Sequence, residues 1–169
     1  MGEYVRIIKR SKWPTEEAIE NNIDNIEAKT IVQEMAMKYD ENCLSIWKLD
    51  DKKDIILALM NTQKSNTETV TALKITDELL AENGLIIKNV PGNSLVEELN
   101  SYHYDVVDMN YKNLGDFARV IMTALKDEEN NLKRITRKEM KDILIEAVSN
   151  EKIKSEELSE DMRRDLKIV

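Results

Sequence analysis

His103 is the only histidine in this 169-residue chain. Any general-base step or metal site that needs an imidazole must therefore use it. Cys43 is likewise the only cysteine, and a thiol beside an imidazole forms a nucleophilic pair if folding brings the two together. Asp105 and Asp108 lie close to His103 in sequence. Placed on a helix running from Leu95 to Val106, His103 has Leu99, Asn100, Val106 and Val107 three and four positions away, and none of these supplies a second metal ligand. The plainer reading is a half-buried histidine beside apolar neighbours. Cys43, inside a predicted strand, reads as a buried and inert thiol.

A second constellation is the acidic turn Asp50, Asp51 and Asp54. Clustered carboxylates after a strand can hold Mg²⁺, and strand ends are where α/β sheets place their sites. These residues suit a structural role equally well: Asp50 or Asp51 can cap the following helix and favour its positive end. Lys52 and Lys53 also interrupt the acidic run.

The third is basic. Lys133, Arg134, Arg137, Lys138 and Lys141 fall within nine positions that contain a single acid, Glu139. With Thr136 as a cap, Arg137 and Lys138 occupy the first helical turn, where the helix dipole disfavours cations by roughly 0.3 to 1 kcal/mol each. A helix start with free N–H groups and added cations can bind an anion or a partner's carboxylates. The competing reading is that these cations pair with the chain's own excess of acids.

Other reaction centres are missing from the pattern. Gly2, Gly84, Gly92 and Gly115 are scattered, which nearly excludes a phosphate-cradling Walker loop or a dinucleotide turn. No serine has the neighbours of a Gly-x-Ser-x-Gly elbow. The sequence thus leaves an enzymatic role undecided and the lesser expectation, and no cofactor is expected.

The formal net charge is −8. Such a field opposes nonspecific adhesion to nucleic acid or an anionic membrane. A single cysteine allows no intrachain disulfide and fits a reducing compartment. The opening MGEYVRIIKRSKW is followed by no apolar run of signal-peptide length, and no stretch approaches the roughly 20 apolar residues of a membrane span. The expected location is cytoplasmic, with no membrane partner.

The elements that must position these groups follow from periodicity. Alternation predicts strands at Tyr4–Ile8, Cys43–Leu49, Val70–Ile75 and Leu85–Val90. Helical spacing predicts a stripe of Ile19, Ile23, Ile26, Ile31, Met35 and Tyr39 after Thr15, then a helix carrying Ile55, Ile56, Leu59 and Met60. A short helix after Thr76 is stopped by Gly84. Further helices are predicted over Leu95–Val106, capped by Ser94 with Glu97, and over Tyr111–Lys126. The strand, helix and strand between Cys43 and Ile75 have the length of a parallel crossover.

All eight aromatic residues precede residue 118, while half of the last 42 residues are charged. The sequence therefore reads as an α+β body over 1–127 and a charged helical pair over 128–169, both within a single domain. Thr136 with Glu139 opens one helix of the pair, with a stripe of Met140, Ile143, Leu144, Ala147 and Val148. Ser155 opens the other, with Leu158, Met162 and Leu166.

The expected fold is α+β, or small α/β, with a three- to four-stranded, partly parallel sheet covered by helices and a C-terminal two-helix extension. The leading functional expectation is a nonenzymatic interaction or regulatory module that uses the C-terminal amphipathic helices to contact a protein partner or a second copy of itself. One alternative is nucleic-acid binding through the basic stretch 133–141. Another is a divalent-metal-dependent enzyme using the acidic turn 50–54.

Overall fold

The computed structural model describes residues 2–15 and 42–168. The expected helical stripe from Ile19 to Tyr39 lies outside the described residues. Among the described residues six strands form one sheet: β1 (Glu3–Ile8), β2 (Leu44–Trp47), β3 (Val70–Thr76), β4 (Ile86–Asn89), β5 (His103–Val107) and β6 (Leu132–Ile135). Their order is β4-β5-β2-β1-β3-β6, and every neighbouring pair is antiparallel.

This corrects the expected sheet of three to four partly parallel strands, while the α+β character stands. β2 and β3 run in the same direction, as the spacing of their connection predicts, because each is antiparallel to β1. They are not neighbours, however: β1 is inserted between them. A crossover that skips one strand leaves no parallel pair, and nothing in its local sequence reveals the inserted strand.

Two strands lie where none is expected. His103–Val107 is β5, preceded by a 3-10 turn over Glu97–Tyr102, where helical spacing predicts one helix. The run His-Tyr-Asp-Val-Val also alternates about the sheet: Tyr104 and Val106 meet one core, and His103 and Asp105 point the other way. Pairing with β2 over four residues and with β4 selects the strand. β6 falls in the charged stretch, where Lys133 and Arg134 mask its alternation.

Among the described residues the helices are α1 (Lys52–Ala58), α2 (Asp77–Glu82), α3 (Tyr111–Leu125), α4 (Glu128–Asn131), α5 (Arg137–Ser149) and α6 (Glu160–Leu166). Their ends follow local chemistry. Asp51 caps α1, accepting from the backbone N–H of Lys53 at 2.8 Å. Thr136 and Glu139 form the reciprocal capping box that opens α5. Gly84, just after α2, has φ +67°, which glycine adopts without a Cβ penalty. The last helix starts later than Ser155: that residue begins a 3-10 turn, and Ser159 caps α6.

Strand alternation divides the core into two layers. On one face Tyr4, Ile8, Leu44, Ile46, Leu73, Ile75 and Val106 pack with Phe117, Ile121 and Leu125 of α3. On the other, Val5, Val70, Ala72 and Ile135 pack with Ile55 and Ile56 of α1, Met140, Leu144 and Ala147 of α5, and Met162 and Leu166 of α6. The apolar stripes of the C-terminal helices therefore cover the chain's own sheet. Ion pairs hold α1 to α5, Lys52 with Glu139 at 2.8 Å and Lys53 with Glu146. Met60, Met122, Met140 and Met162 are core filling. No helix among the described residues is long and apolar enough to cross a membrane.

Candidate functional site

The register of β2 against β5 builds a polar square on the sheet face that α1 covers. Ser45 lies opposite Asp105 and Trp47 opposite His103. Because side chains alternate in a strand, these four point the same way. His103 and Asp105 are only 4% and 2% exposed. The His103 Nδ1 lies 2.7 Å from the Val90 carbonyl. A carbonyl can only accept, so Nδ1 carries the proton and Nε2 is the ring's remaining site. Nε2 faces Asp105 Oδ1 at 3.7 Å, and Ser45 Oγ lies 3.4 Å from the same oxygen. The Trp47 and His103 rings meet edge to face, with centroids 4.7 Å apart.

A pocket of about 350 Å³ opens beside this square, between the end of α1 and the loop Val90–Asn93. Gly92 permits the loop to lie so close: a Cβ there would stand 2.6 Å from the Trp47 ring and 3.2 Å from His103 Cβ. Ser94 anchors the loop by donating from Oγ to the Leu57 carbonyl at 2.8 Å. Cys43 is not part of this group. It is buried next to the end of β2 opposite Trp47, four residues or roughly 13 Å along the chain from His103's cross-strand partner. The thiol-imidazole pair therefore does not form. Asp108 lies past the end of β5, with φ 55°.

At the acidic turn, Asp51 serves as the α1 cap and Asp50 is paired with Lys133. Among the described residues, no group of three or more His, Cys, Asp or Glu side chains is placed to hold a metal ion.

The five basic residues divide into two sets. Lys133 pairs with Asp50. Arg137 and Lys141 converge on Asp165 of α6, at 2.6 and 2.8 Å. Asp165 also accepts the Thr67 backbone N–H at 2.9 Å. Lys141 above all, then Thr67 and Arg137, hold its carboxyl well below the usual range. Glu139 is lowered to about 2, chiefly by its bond to Lys52 and then by the Thr136 backbone and hydroxyl. These pairings tie α6 to α5 and to the loop before β3. Local periodicity could not show them, because Asp50 and Asp165 are distant in sequence from the cations they meet.

Arg134 and Lys138 are exposed, and neither side chain has an ion pair or hydrogen bond among the described residues. Arg134 lies on β6, the last strand of the sheet among the described residues. It borders a second pocket, of about 540 Å³, together with Lys9, Arg10, Ser11, Thr71 and Glu128. Arg10 donates to Glu128 through Nε at 2.7 Å and to the Trp13 carbonyl at 2.9 Å. No family model matches the chain, and no curated protein or solved structure is significantly similar to it.

Proposed function

We propose that this protein is a nonenzymatic interaction module that takes an acidic, extended segment of a protein partner along the outer edge of β6. The observation that carries this reading is the position of Arg134. It is an exposed cation with no partner among the described residues, on a strand that no described strand borders on its outer side. An edge strand offers backbone donors and acceptors, and an added strand gains affinity from them and specificity from alternate side chains.

Charge favours a different partner over a second copy of the chain. Pairing β6 with another β6 would bring Lys133 and Arg134 of each strand against like charges, which is destabilising. An acidic segment would meet the same residues with favourable charge. Lys138, on the first turn of α5, extends the available positive charge. The apolar stripes of α5 and α6 are covered by the sheet, so this contact uses polar surface and backbone. Three of the five cations are already held by acids of this chain, which favours carboxylate recognition over the many phosphate contacts of nucleic-acid binding.

Fluorescence polarisation with a labelled peptide of alternating Glu and Val residues tests the reading, with a Lys-Val peptide as control. The acidic peptide binds in a salt-sensitive manner, and Arg134→Glu weakens it about tenfold or more. Absence of binding at low salt, or binding unaffected by that reversal, would overturn the proposal.

A further inference from the structure

The second pocket, of about 540 Å³, lies at the end of three neighbouring strands, and their register builds its floor. Ile8 of β1 is opposite Thr71 of β3, and Thr71 is opposite Arg134 of β6. Cross-strand partners project to the same face of a sheet, and Leu132, two residues before Arg134, joins them by alternation. All four residues line the pocket. Ile8 belongs to the core on this face, and Leu132 packs against that core. The floor is therefore apolar at Ile8 and Leu132, with a hydroxyl and a guanidinium beside them.

The polar lining narrows the ligand class. Among the described residues, no hydrogen bond engages the side-chain hydroxyls of Ser11, Thr69 and Thr71 or the guanidinium of Arg134. The other charged groups at the pocket are engaged: Arg10 donates to Glu128 and to the Trp13 carbonyl, and Lys9 has an interaction within the chain. One uncompensated positive charge remains, which suits a monoanion better than a dianionic phosphate. A guanidinium presents a planar fork of donors that matches a carboxylate, and hydroxyls donate to the same oxygens. The pocket falls within the range for ligand sites, roughly 300 to 1,000 Å³. That is more room than a carboxylate alone needs, and the apolar floor suits an organic body.

We propose that this pocket binds a small organic monocarboxylate. Its carboxylate is held by the guanidinium of Arg134 and the hydroxyl of Thr71, and its apolar body lies on Ile8 and Leu132. Arg134 also serves the proposed contact with an acidic segment, so ligand and segment compete for this residue. Binding of the carboxylate requires no strand at the β6 edge, and the two readings are tested apart.

The isotope-labelled full chain is titrated with phenylacetate at neutral pH and followed by NMR, in parallel with phenethyl alcohol and phenethylamine, which share its ring without its charge. Phenylacetate shifts the backbone amide signals of Thr71 and Arg134 saturably, while the alcohol and the amine bind about tenfold more weakly or not at all. Arg134→Gln weakens phenylacetate binding about tenfold. Thr71→Val, which keeps the side-chain shape and removes the hydroxyl, weakens it about threefold or more and leaves binding of the Glu-Val peptide unchanged. The titration contains no peptide, so failure of the peptide to bind leaves this result standing. No saturable shift with millimolar phenylacetate, equal binding of the alcohol or the amine, or unchanged affinity in Arg134→Gln would overturn the proposal.

Discussion

Thr67 and Asp165 are 98 residues apart in sequence, and the Thr67 backbone N–H donates to the Asp165 carboxylate at 2.9 Å. Arg137 and Lys141 of α5 meet the same carboxylate. This one side chain therefore joins the last helix, the helix before it and the loop that enters β3. Asp165→Ala leaves the buried Thr67 without this acceptor and two cations without their shared anion. The expected cost is about 1.5 to 3 kcal/mol, read as a lower urea midpoint with an unchanged slope.

Acid sensitivity follows from the same carboxylate and from Glu139. Both are held below their ordinary values of 3.8 and 4.5. A carboxyl depressed in the folded state contributes stability that is fully present above its unfolded value and is lost as pH falls toward its folded one. The denaturation midpoint should thus fall steadily from about pH 5 to about pH 2. The double variant Asp165→Asn with Glu139→Gln should start lower and vary less across that window. An equally steep decline in the double variant would assign the acid sensitivity to other groups.

The C-terminal helices belong to the core that the body requires. Met140, Leu144 and Met162 are fully buried with Val5, Ile55 and Ala72. A version ending at Asp127 also removes β6 and leaves β3 as a bare edge. It should be unfolded or aggregated by circular dichroism and size exclusion. Met140→Ala in the full chain should cost about 2 to 5 kcal/mol.

Gly92 can be tested independently of any ligand. A Cβ at this position meets the Trp47 ring at 2.6 Å, so Gly92→Ala must displace the loop or the ring. Overpacking of this kind costs about 1 to 3 kcal/mol. It should shift the His103 ring resonances, since His103 touches the same loop through Val90.

How much of this was legible in the sequence depended on how local each signal is. The caps at Asp51 and Thr136, the stop at Gly84 and the spans of α1, α3 and α5 follow from neighbours within four residues. The sheet order does not, because β3 meets β6 about 60 residues away, and Val70 opposite Ile135 leaves no local mark. Leu99, Tyr102 and Val106 fit helical spacing, while His103–Val107 also fits a strand, and only pairing with Leu44–Trp47 decides between them.

The candidate sites divide in the same way. Alternation along β2 places Ser45 and Trp47 on one face, but their cross-strand neighbours Asp105 and His103 depend on register. The basic stretch from Lys133 to Lys141 is visible as composition. Which of its cations remain available depends on Asp50 and Asp165, which only folding brings near.

Backbone hydrogen exchange of β6, followed by NMR with and without the Glu-Val peptide, tests the functional account most directly. An added strand should slow exchange at the amides of Leu132–Ile135 that face away from β3, and Arg134→Glu should abolish the slowing. Peptide binding that leaves these amides unchanged would contradict the assignment of the β6 edge as the contact surface.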